Sequence, residues 1–173
     1  MKLLIAYVSK TGSSEFCAKL IAKELEQKAE IDVIDLEKKT PKLEGYDAVV
    51  VGGPVRFGAF PKVLRKFIKN HFSELSAIPC AVYFCCGLSR ISDEYSETLI
   101  PRKFEPSLGV HYFGGELKPQ NAKGFDKMLI RHLRSSVKYH DFEDNEASDV
   151  SLPELIPENA HLLAEDIKRI TAK

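Results

Sequence analysis

Two different patterns of hydrophobic residues follow one another at the start of the chain. Residues 3–8 form an unbroken apolar run that is rich in strand-forming side chains. A short segment of polar and small residues, 9–14, follows it directly. Apolar residues then recur at helical spacing, at Phe16, Leu20, Ile21 and Leu25. This order predicts a strand, a tight loop and an amphipathic helix.

The same alternation continues along the chain. Further strands are predicted at residues 31–36, 48–52, 81–85 and 110–114, and helices at 62–71, near 93–104 and at 159–170. The third strand is continuously apolar, which is typical of a strand covered on both faces. We therefore predict an α/β fold, a three-layer sandwich around a five-stranded, doubly wound parallel sheet. A length of 173 residues suits one domain, 1–173.

One segment, residues 116–157, departs from this alternation. It is long for a simple connection, so we interpret it as a functional insertion or a disordered flap. Within it we predict an amphipathic helix at about 122–139. Its apolar residues recur every four positions beside a basic strip formed by Lys127, Arg131, Arg134 and Lys138. The strip suits an anionic membrane surface or an acidic partner, whereas the alternative is an ordinary packed helix with a solvated basic face.

Charge and hydropathy exclude several classes of protein. Basic and acidic residues number 25 each, so the net charge is zero, which argues against nucleic acid as the main partner. The longest apolar runs are far shorter than the roughly 18 residues of a membrane-spanning helix. The first apolar run is also too short for a signal sequence. We expect a cytoplasmic protein, with peripheral membrane contact only through the predicted helix at 122–139.

The cysteine and histidine patterns favour no metal site. The four cysteines are Cys17, Cys80, Cys85 and Cys86, with no CxxC pair and no histidine at zinc-finger spacing. We expect free, buried thiols in a reducing compartment. A strained disulfide between the adjacent Cys85 and Cys86 is the alternative.

The loop after the first strand carries the clearest chemistry. It consists of Ser9, Lys10, Thr11, Gly12, Ser13 and Ser14. Hydroxyls, a glycine and the N–H groups of a helix N-terminus together suit a phosphate dianion. The alternative is simple capping of the helix by Ser13 or Ser14. The loop is not a Walker A motif, because no GxxxxGK[ST] is present, and this disfavours a nucleotide triphosphatase.

Two further loops follow strands at the same predicted edge of the sheet. Residues 52–58 contain two glycines, then Pro54, Val55, Arg56, Phe57 and Gly58, and residues 85–88 form a small turn. Ligands of doubly wound sheets bind beyond the carboxyl ends of the strands. An anion cradle beside two such loops suits a planar aromatic ligand with a phosphate tail. Tyr112 and Phe113 end the fifth strand near this edge, where they either line a pocket or pack in the core.

These loops resemble the flavodoxin-like family. Ser9, Thr11, Gly12 and Ser14 match its phosphate loop, Ser/Thr-x-Thr-Gly-x-Ser/Thr, and residues 52–58 are similar to its Gly-x-Pro loop. The triplet at 56–58 looks like the Arg-Tyr-Gly of the flavodoxin-domain type of protoporphyrinogen oxidase. That branch typically has a Gly-Gly-x-Thr-Asp stretch before its last helix, and this chain has a different, acidic sequence at 141–146.

The resemblance implies FMN as the cofactor. Ser9, Lys10, Thr11, Gly12, Ser13 and Ser14 would surround the phosphate, and Pro54, Val55, Arg56, Phe57, Gly58, Cys86 and Gly87 would contact the ring. Phe57 would stack on the ring, and backbone groups of Arg56, Gly58, Cys86 and Gly87 would meet its polar rim. The implied function is an oxidoreductase that passes electrons from a small reduced substrate to a quinone or a redox protein. The alternatives are a flavodoxin-type electron carrier and an interaction domain without cofactor.

Overall fold

The protein is a five-stranded parallel sheet flanked by helices on both faces, as the sequence predicts. The computed structural model describes residues 1–56, 58–87, 99–101, 103–115 and 154–171. The strands are β1 (Lys2–Tyr7), β2 (Glu30–Asp35), β3 (Ala48–Pro54), β4 (Cys80–Cys85) and β5 (Val110–Tyr112). They pair in the order β2-β1-β3-β4-β5, and each pair is parallel. The order reverses beside β1, so the loops after β1 and β3 flank the switch point where ligands of such sheets bind.

Four helices lie in the described part of the chain: α1 (Ser13–Leu25), α2 (Lys62–Asn70), α3 (Phe72–Ala77) and α4 (Pro157–Thr171). The predicted helix at 62–71 corresponds to α2, whereas α3 is not predicted from the sequence. The chain turns at His71, where φ is −107° and ψ is 21°, and its N–H donates to the Phe67 carbonyl. A second short helix then begins at once.

The connection between β2 and β3, for which no helix is predicted, contains none, and Leu36 and Leu43 are buried there in the core. The predicted helix near 93–104 is wrong in part, because residues 99–101 and 103–104 are not helical. Pro101 lacks an N–H, and its carbonyl accepts a turn hydrogen bond from Phe104 N–H at 2.7 Å. The rest of that predicted helix lies outside the described residues.

The sheet separates two apolar cores because successive residues of a strand point to opposite faces. Leu3, Ile5 and Tyr7 face the core beneath α1 and α4. Leu4 and Ala6 face the core beneath α2 and α3. The expected three-layer sandwich is therefore confirmed.

Of the predicted insertion at 116–157, the structure describes residues 154–157. Leu155 forms an antiparallel bridge with Gly114 at the end of β5. The predicted basic helix at 122–139 lies outside the described residues, and its proposed membrane contact stays a prediction. No helix in the described ranges is both long and apolar enough to span a membrane.

Candidate functional site

The loop between β1 and α1 turns sharply at Gly12. This glycine is the N-cap of α1 and has φ 96°, a left-handed conformation that glycine adopts without the penalty of a Cβ. A Cβ at this position would meet no atom within 4 Å, so the backbone here faces open space. The Gly12 N–H donates to Ser9 Oγ at 3.2 Å. A hydrogen bond within the loop thus fixes the start of α1, and the space beside Gly12 is open.

Neither serine in the first turn acts as the cap, so the capping alternative is wrong. No side chain caps α1, and the helix begins at Ser13. Because the first N–H groups of a helix have no acceptor within it, those of Ser13 and Ser14 point out of the helix end. This arrangement, with the positive end of the helix dipole, is the one that binds phosphate.

Ser14 is the most unusual polar residue of the loop. Its side chain is buried at 1% exposure, and Oγ has no hydrogen bond of normal geometry among the described residues. Its backbone carbonyl accepts a hydrogen bond from the hydroxyl of Tyr83 on β4, at 2.7 Å. Burial raises the pKa of Tyr83 well above its ordinary value, so that hydroxyl remains a donor. A buried hydroxyl without a partner is the feature expected where a ligand oxygen would complete the site.

Charged groups surround the loop in pairs. The Lys10 ammonium pairs with the Glu37 carboxylate just beyond β2. Glu15 in the first turn of α1 pairs with Lys19 at 2.6 Å. Burial, then the nearby carboxylates of Glu15 and Asp35, raise the pKa of Tyr7 at the end of β1. The predicted phosphate ligand Lys10 therefore has a competing partner in this structure.

Gly52 and Gly53 lie within β3 and do approach other atoms closely, but those atoms belong to the protein. A Cβ on Gly52 would lie 1.9 Å from Cε1 of the Tyr83 ring. A Cβ on Gly53 would lie 2.7 Å from Cδ2 of Leu64 in α2. Packing of the core requires these glycines, whereas the sequence suggested a ligand contact.

The loop after β3 folds back on itself. Arg56 and Ala59 exchange both backbone hydrogen bonds, at 3.0 and 3.1 Å, and Gly58 between them has φ 73°. Val55 is buried, and its N–H donates to the Cys85 carbonyl at 2.8 Å. Pro54 ends β3 opposite the same residue. Phe57, the predicted stacking residue, lies outside the described residues, so its role stays a prediction.

The loop after β4 is held by the neighbouring strand. The Cys86 N–H donates to the Gly114 carbonyl at 2.8 Å, and the Cys86 carbonyl accepts from the Tyr112 hydroxyl at 2.9 Å. Burial raises the pKa of Tyr112 to about 12, so it remains a donor. Phe113 is fully buried and stacked on Tyr83 at 4.9 Å between ring centroids, which assigns it to the core.

The geometry brings the three predicted loops to one edge of the sheet and changes one detail. Backbone groups of Arg56 and Cys86 are predicted to meet a flavin rim, and the N–H groups of both residues already donate within the protein. The ring contacts predicted for Gly58 and Gly87 stay predictions. Sequence reasoning missed Tyr83 as a support of the phosphate loop, because nothing in an apolar strand indicates which helix its hydroxyl reaches.

No group of three or more histidine, cysteine, aspartate or glutamate side chains among the described residues could hold a metal ion. Among the described residues at this edge, the loop at 9–14 gives the indication of a ligand. Its open glycine, its outward N–H groups and the unpartnered Ser14 hydroxyl fit a phosphorylated cofactor.

Comparison with known proteins identifies the family to which this sequence is similar. The sequence profile described as flavodoxin domain matches residues 4–144. A protoporphyrinogen IX dehydrogenase (quinone) from Leishmania major is 31% identical over 143 residues, which are 76% of this chain and 62% of that protein. The enzyme of the same name from Escherichia coli K12 is 32% identical over 85 residues, 48% of this chain and 47% of that protein. The match thus spans less than two thirds of the first relative and about half of the second.

A solved structure supports the fold independently. A short-chain flavodoxin associated with a non-canonical PDU bacterial microcompartment aligns with a TM-score of 0.52 at 12% sequence identity, covering 99% of each chain. At that identity the likeness concerns the fold alone.

Proposed function

The chain belongs to the flavodoxin domain family, and from that premise we propose that it is an FMN-dependent oxidoreductase. The proposed reaction oxidises protoporphyrinogen or a similar reduced substrate and passes the electrons to a quinone. The two relatives named as protoporphyrinogen IX dehydrogenase (quinone) support this substrate class. FMN, when bound, supplies the redox chemistry.

The observation that carries the proposal is the loop at 9–14. Its helix N–H groups and the hydroxyls of Ser9, Thr11 and Ser14 would hold the phosphate of FMN. The Ser14 hydroxyl is buried and has no hydrogen bond of normal geometry among the described residues, although it lies close enough to Cys85 to lower the pKa of that thiol. A phosphate oxygen would offer this hydroxyl a charged acceptor. Hydrogen bonds to a charged group contribute about 1.5–3 kcal/mol each.

Other residues of this chain would position the ring and the substrate. Phe57 would stack on the ring, as the resemblance implies. The guanidinium of Arg56 carries a permanent positive charge near the same edge. That charge favours a substrate with carboxylate groups or a reduced, anionic cofactor. The exchange of hydrogen bonds between Arg56 and Ala59 fixes the backbone from which this side chain extends.

A binding experiment tests the cofactor first. FMN and riboflavin are titrated into the purified protein, and flavin fluorescence and the visible spectrum are followed. We expect FMN to bind at least tenfold more tightly than riboflavin, because only FMN carries the phosphate. The variant Thr11→Val should reduce that preference, and Thr40→Val, at an exposed position between β2 and β3, should leave it unchanged. Equal affinity for both flavins would contradict the phosphate site.

A turnover experiment then tests the activity. The FMN-loaded protein is mixed anaerobically with protoporphyrinogen, and a soluble quinone is added as the acceptor. We expect porphyrin to appear with quinone consumption in a one-to-three ratio, because oxidation to the porphyrin removes six electrons and each quinone accepts two. Flavin binding without any turnover, together with electron exchange with a redox protein, would favour the electron carrier instead.

A further inference from the structure

The fold sorts the four cysteines into two pairs by sheet face. Cys80 and Cys86 lie in the core beneath α2 and α3, whereas Cys17 and Cys85 lie in the core beneath α1 and α4. Cys80 and Cys86 are six positions apart along one extended segment, roughly 20 Å at 3.3 Å per residue. Cys85 and Cys86 are adjacent in sequence but belong to opposite cores. Only Cys17 and Cys85 therefore meet.

The two sulfurs are already close. The Cys17 and Cys85 Sγ atoms lie 3.8 Å apart, and both residues are reduced cysteines, outside any disulfide, with at most 5% exposure. A disulfide requires about 2.05 Å, so the sulfurs need to approach by about 1.8 Å. Cys17 is in the second turn of α1 and Cys85 ends β4, so the link requires side-chain rotations that bring the two sulfurs together across the contact between these elements.

The surroundings make Cys85 the more reactive thiol of β4. A hydrogen bond with the Cys17 thiol, together with the neighbouring Ser14, lowers the pKa of Cys85 against the opposing effect of burial. Burial alone raises the pKa of Cys80, at the other end of the strand, to about 12. Because the thiolate is the reactive species, the two cysteines of one strand differ in their readiness to react.

We propose that Cys17 and Cys85 form a redox pair that a hydroperoxide converts into an intramolecular disulfide. The Cys85 thiolate attacks the peroxide O–O bond, which gives a sulfenic acid and releases hydroxide, or an alcohol from an organic hydroperoxide. The Cys17 thiol then displaces the sulfenic hydroxyl as water, and the S–S bond forms. Two thiols lose two electrons and two protons, and the peroxide is reduced. A dithiol reductant reverses the reaction by exchange.

The link would lie directly beneath the phosphate loop. Cys17 follows Ser14 by three residues on α1, so both lie on one face of the helix. The Tyr83 hydroxyl from the same strand already holds the Ser14 carbonyl at 2.7 Å. A disulfide would add a covalent tie between these two elements at this point. The crosslink does not depend on FMN binding, so its failure would leave the proposed function intact.

The experiment uses the full, purified chain. Reduced protein is treated with hydrogen peroxide and then denatured and alkylated with N-ethylmaleimide, and its intact mass is measured. We expect two of the four thiols to escape alkylation, and dithiothreitol to restore all four. Combined trypsin and chymotrypsin digestion separates Cys80 from Cys85 at Phe84 and should yield a peptide around Cys17 linked to one that contains both Cys85 and Cys86. Fragmentation of this linked peptide in the mass spectrometer should then place the alkyl group on Cys86 and the link on Cys85.

Variants identify the partners. Cys80→Ala and Cys86→Ala should each form the same link, and Cys17→Ala should form none. Because the wild-type peptide map identifies the link by itself, the inference remains testable if a variant fails to fold. Four alkylated thiols after peroxide treatment, a link between Cys85 and Cys86, or exclusively intermolecular links would overturn it.

Discussion

Replacing Ser14 with alanine is expected to move stability and cofactor affinity in opposite directions. The side chain is 1% exposed, and its hydroxyl has no hydrogen bond of normal geometry among the described residues. Alanine removes this unmet polar group and is the better helix former. Together these effects should raise the free energy of unfolding of the apoprotein by about 1 kcal/mol.

With FMN the sign should reverse. Loss of a hydrogen bond to the phosphate costs about 1.5–3 kcal/mol, which corresponds to roughly a 10- to 100-fold weaker affinity. At saturating FMN the stabilisation by ligand falls by the same amount, because it follows the logarithm of the dissociation constant. The loss exceeds the gain of about 1 kcal/mol in the apoprotein, so the loaded variant should be less stable than the loaded wild type.

Urea unfolding followed by circular dichroism, with and without FMN, measures both effects. Ser76→Ala is the matched control, since Ser76 is exposed on α3 and its Oγ donates to the Phe72 carbonyl at 2.8 Å. This control should change stability by the same small amount in both conditions. A Ser14→Ala apoprotein that is less stable than wild type, with unchanged FMN affinity, would refute the reasoning and assign the hydroxyl to core packing.

Three further predictions follow from contacts near the site and at the opposite end of the sheet. Gly52→Ala places a methyl group 1.9 Å from the buried Tyr83 ring, so overpacking and strain on the Tyr83–Ser14 hydrogen bond should cost about 3 kcal/mol by urea unfolding. Gly53→Ala, which meets only the flexible end of Leu64 at 2.7 Å, should cost about 1 kcal/mol, and equal losses would contradict the geometry. Glu37→Gln releases Lys10 from its ion pair, so FMN affinity should rise about two- to fivefold at low salt and lose this gain at high salt. An unchanged dissociation constant at low salt would show that Lys10 does not reach the phosphate. Tyr46→Phe removes the hydrogen bond to Asp32 at 2.6 Å, which holds the pKa of Asp32 below its ordinary value. That bond stabilises the wild type above the unfolded pKa of aspartate, about 4, and the benefit disappears as pH falls through the lowered folded pKa. The pKa of Tyr46 itself is raised to about 12, so wild-type stability should also decline above about pH 10, and the variant should lose less there. Urea unfolding of both proteins, measured across the acidic and the alkaline pH range, checks these two effects. A difference in free energy of unfolding between wild type and variant that is the same at every pH would contradict them.

The elements that the sequence predicted correctly are those with strong local signals. The apolar run at 3–8 and the helix that follows it correspond to β1 and α1, and their ends agree to within three residues. The loop at 9–14 also has a local signal, because its hydroxyl side chains and its glycine stand together between a predicted strand and a predicted helix. The predicted free and buried cysteines also agree with the structure.

The errors come from features that depend on distant contacts or on a single residue. The predicted helix near 93–104 is wrong at residues 99–101 and 103–104, where Pro101 has no N–H for a helical hydrogen bond. Gly52 is small because Tyr83 packs against it from the neighbouring strand. The contact between Cys17 and Cys85 joins residues 68 positions apart. None of these pairings has a local signature, because each is set by the register of one element on another.

The same long-range contacts determine how ready the phosphate loop is for a ligand. The Tyr83 hydroxyl fixes the Ser14 carbonyl, so the start of α1 is ordered before any ligand arrives. The Gly12 N–H already donates to Ser9 Oγ, at a long 3.2 Å. An anion would exchange this neutral bond for a charge-assisted one, which is about twice as strong. The loop thus has little conformational entropy left to lose on binding and weak internal bonds to give up, and both properties increase affinity for a phosphate. Under the proposed function, a loop built this way is preorganised for the phosphate of the cofactor.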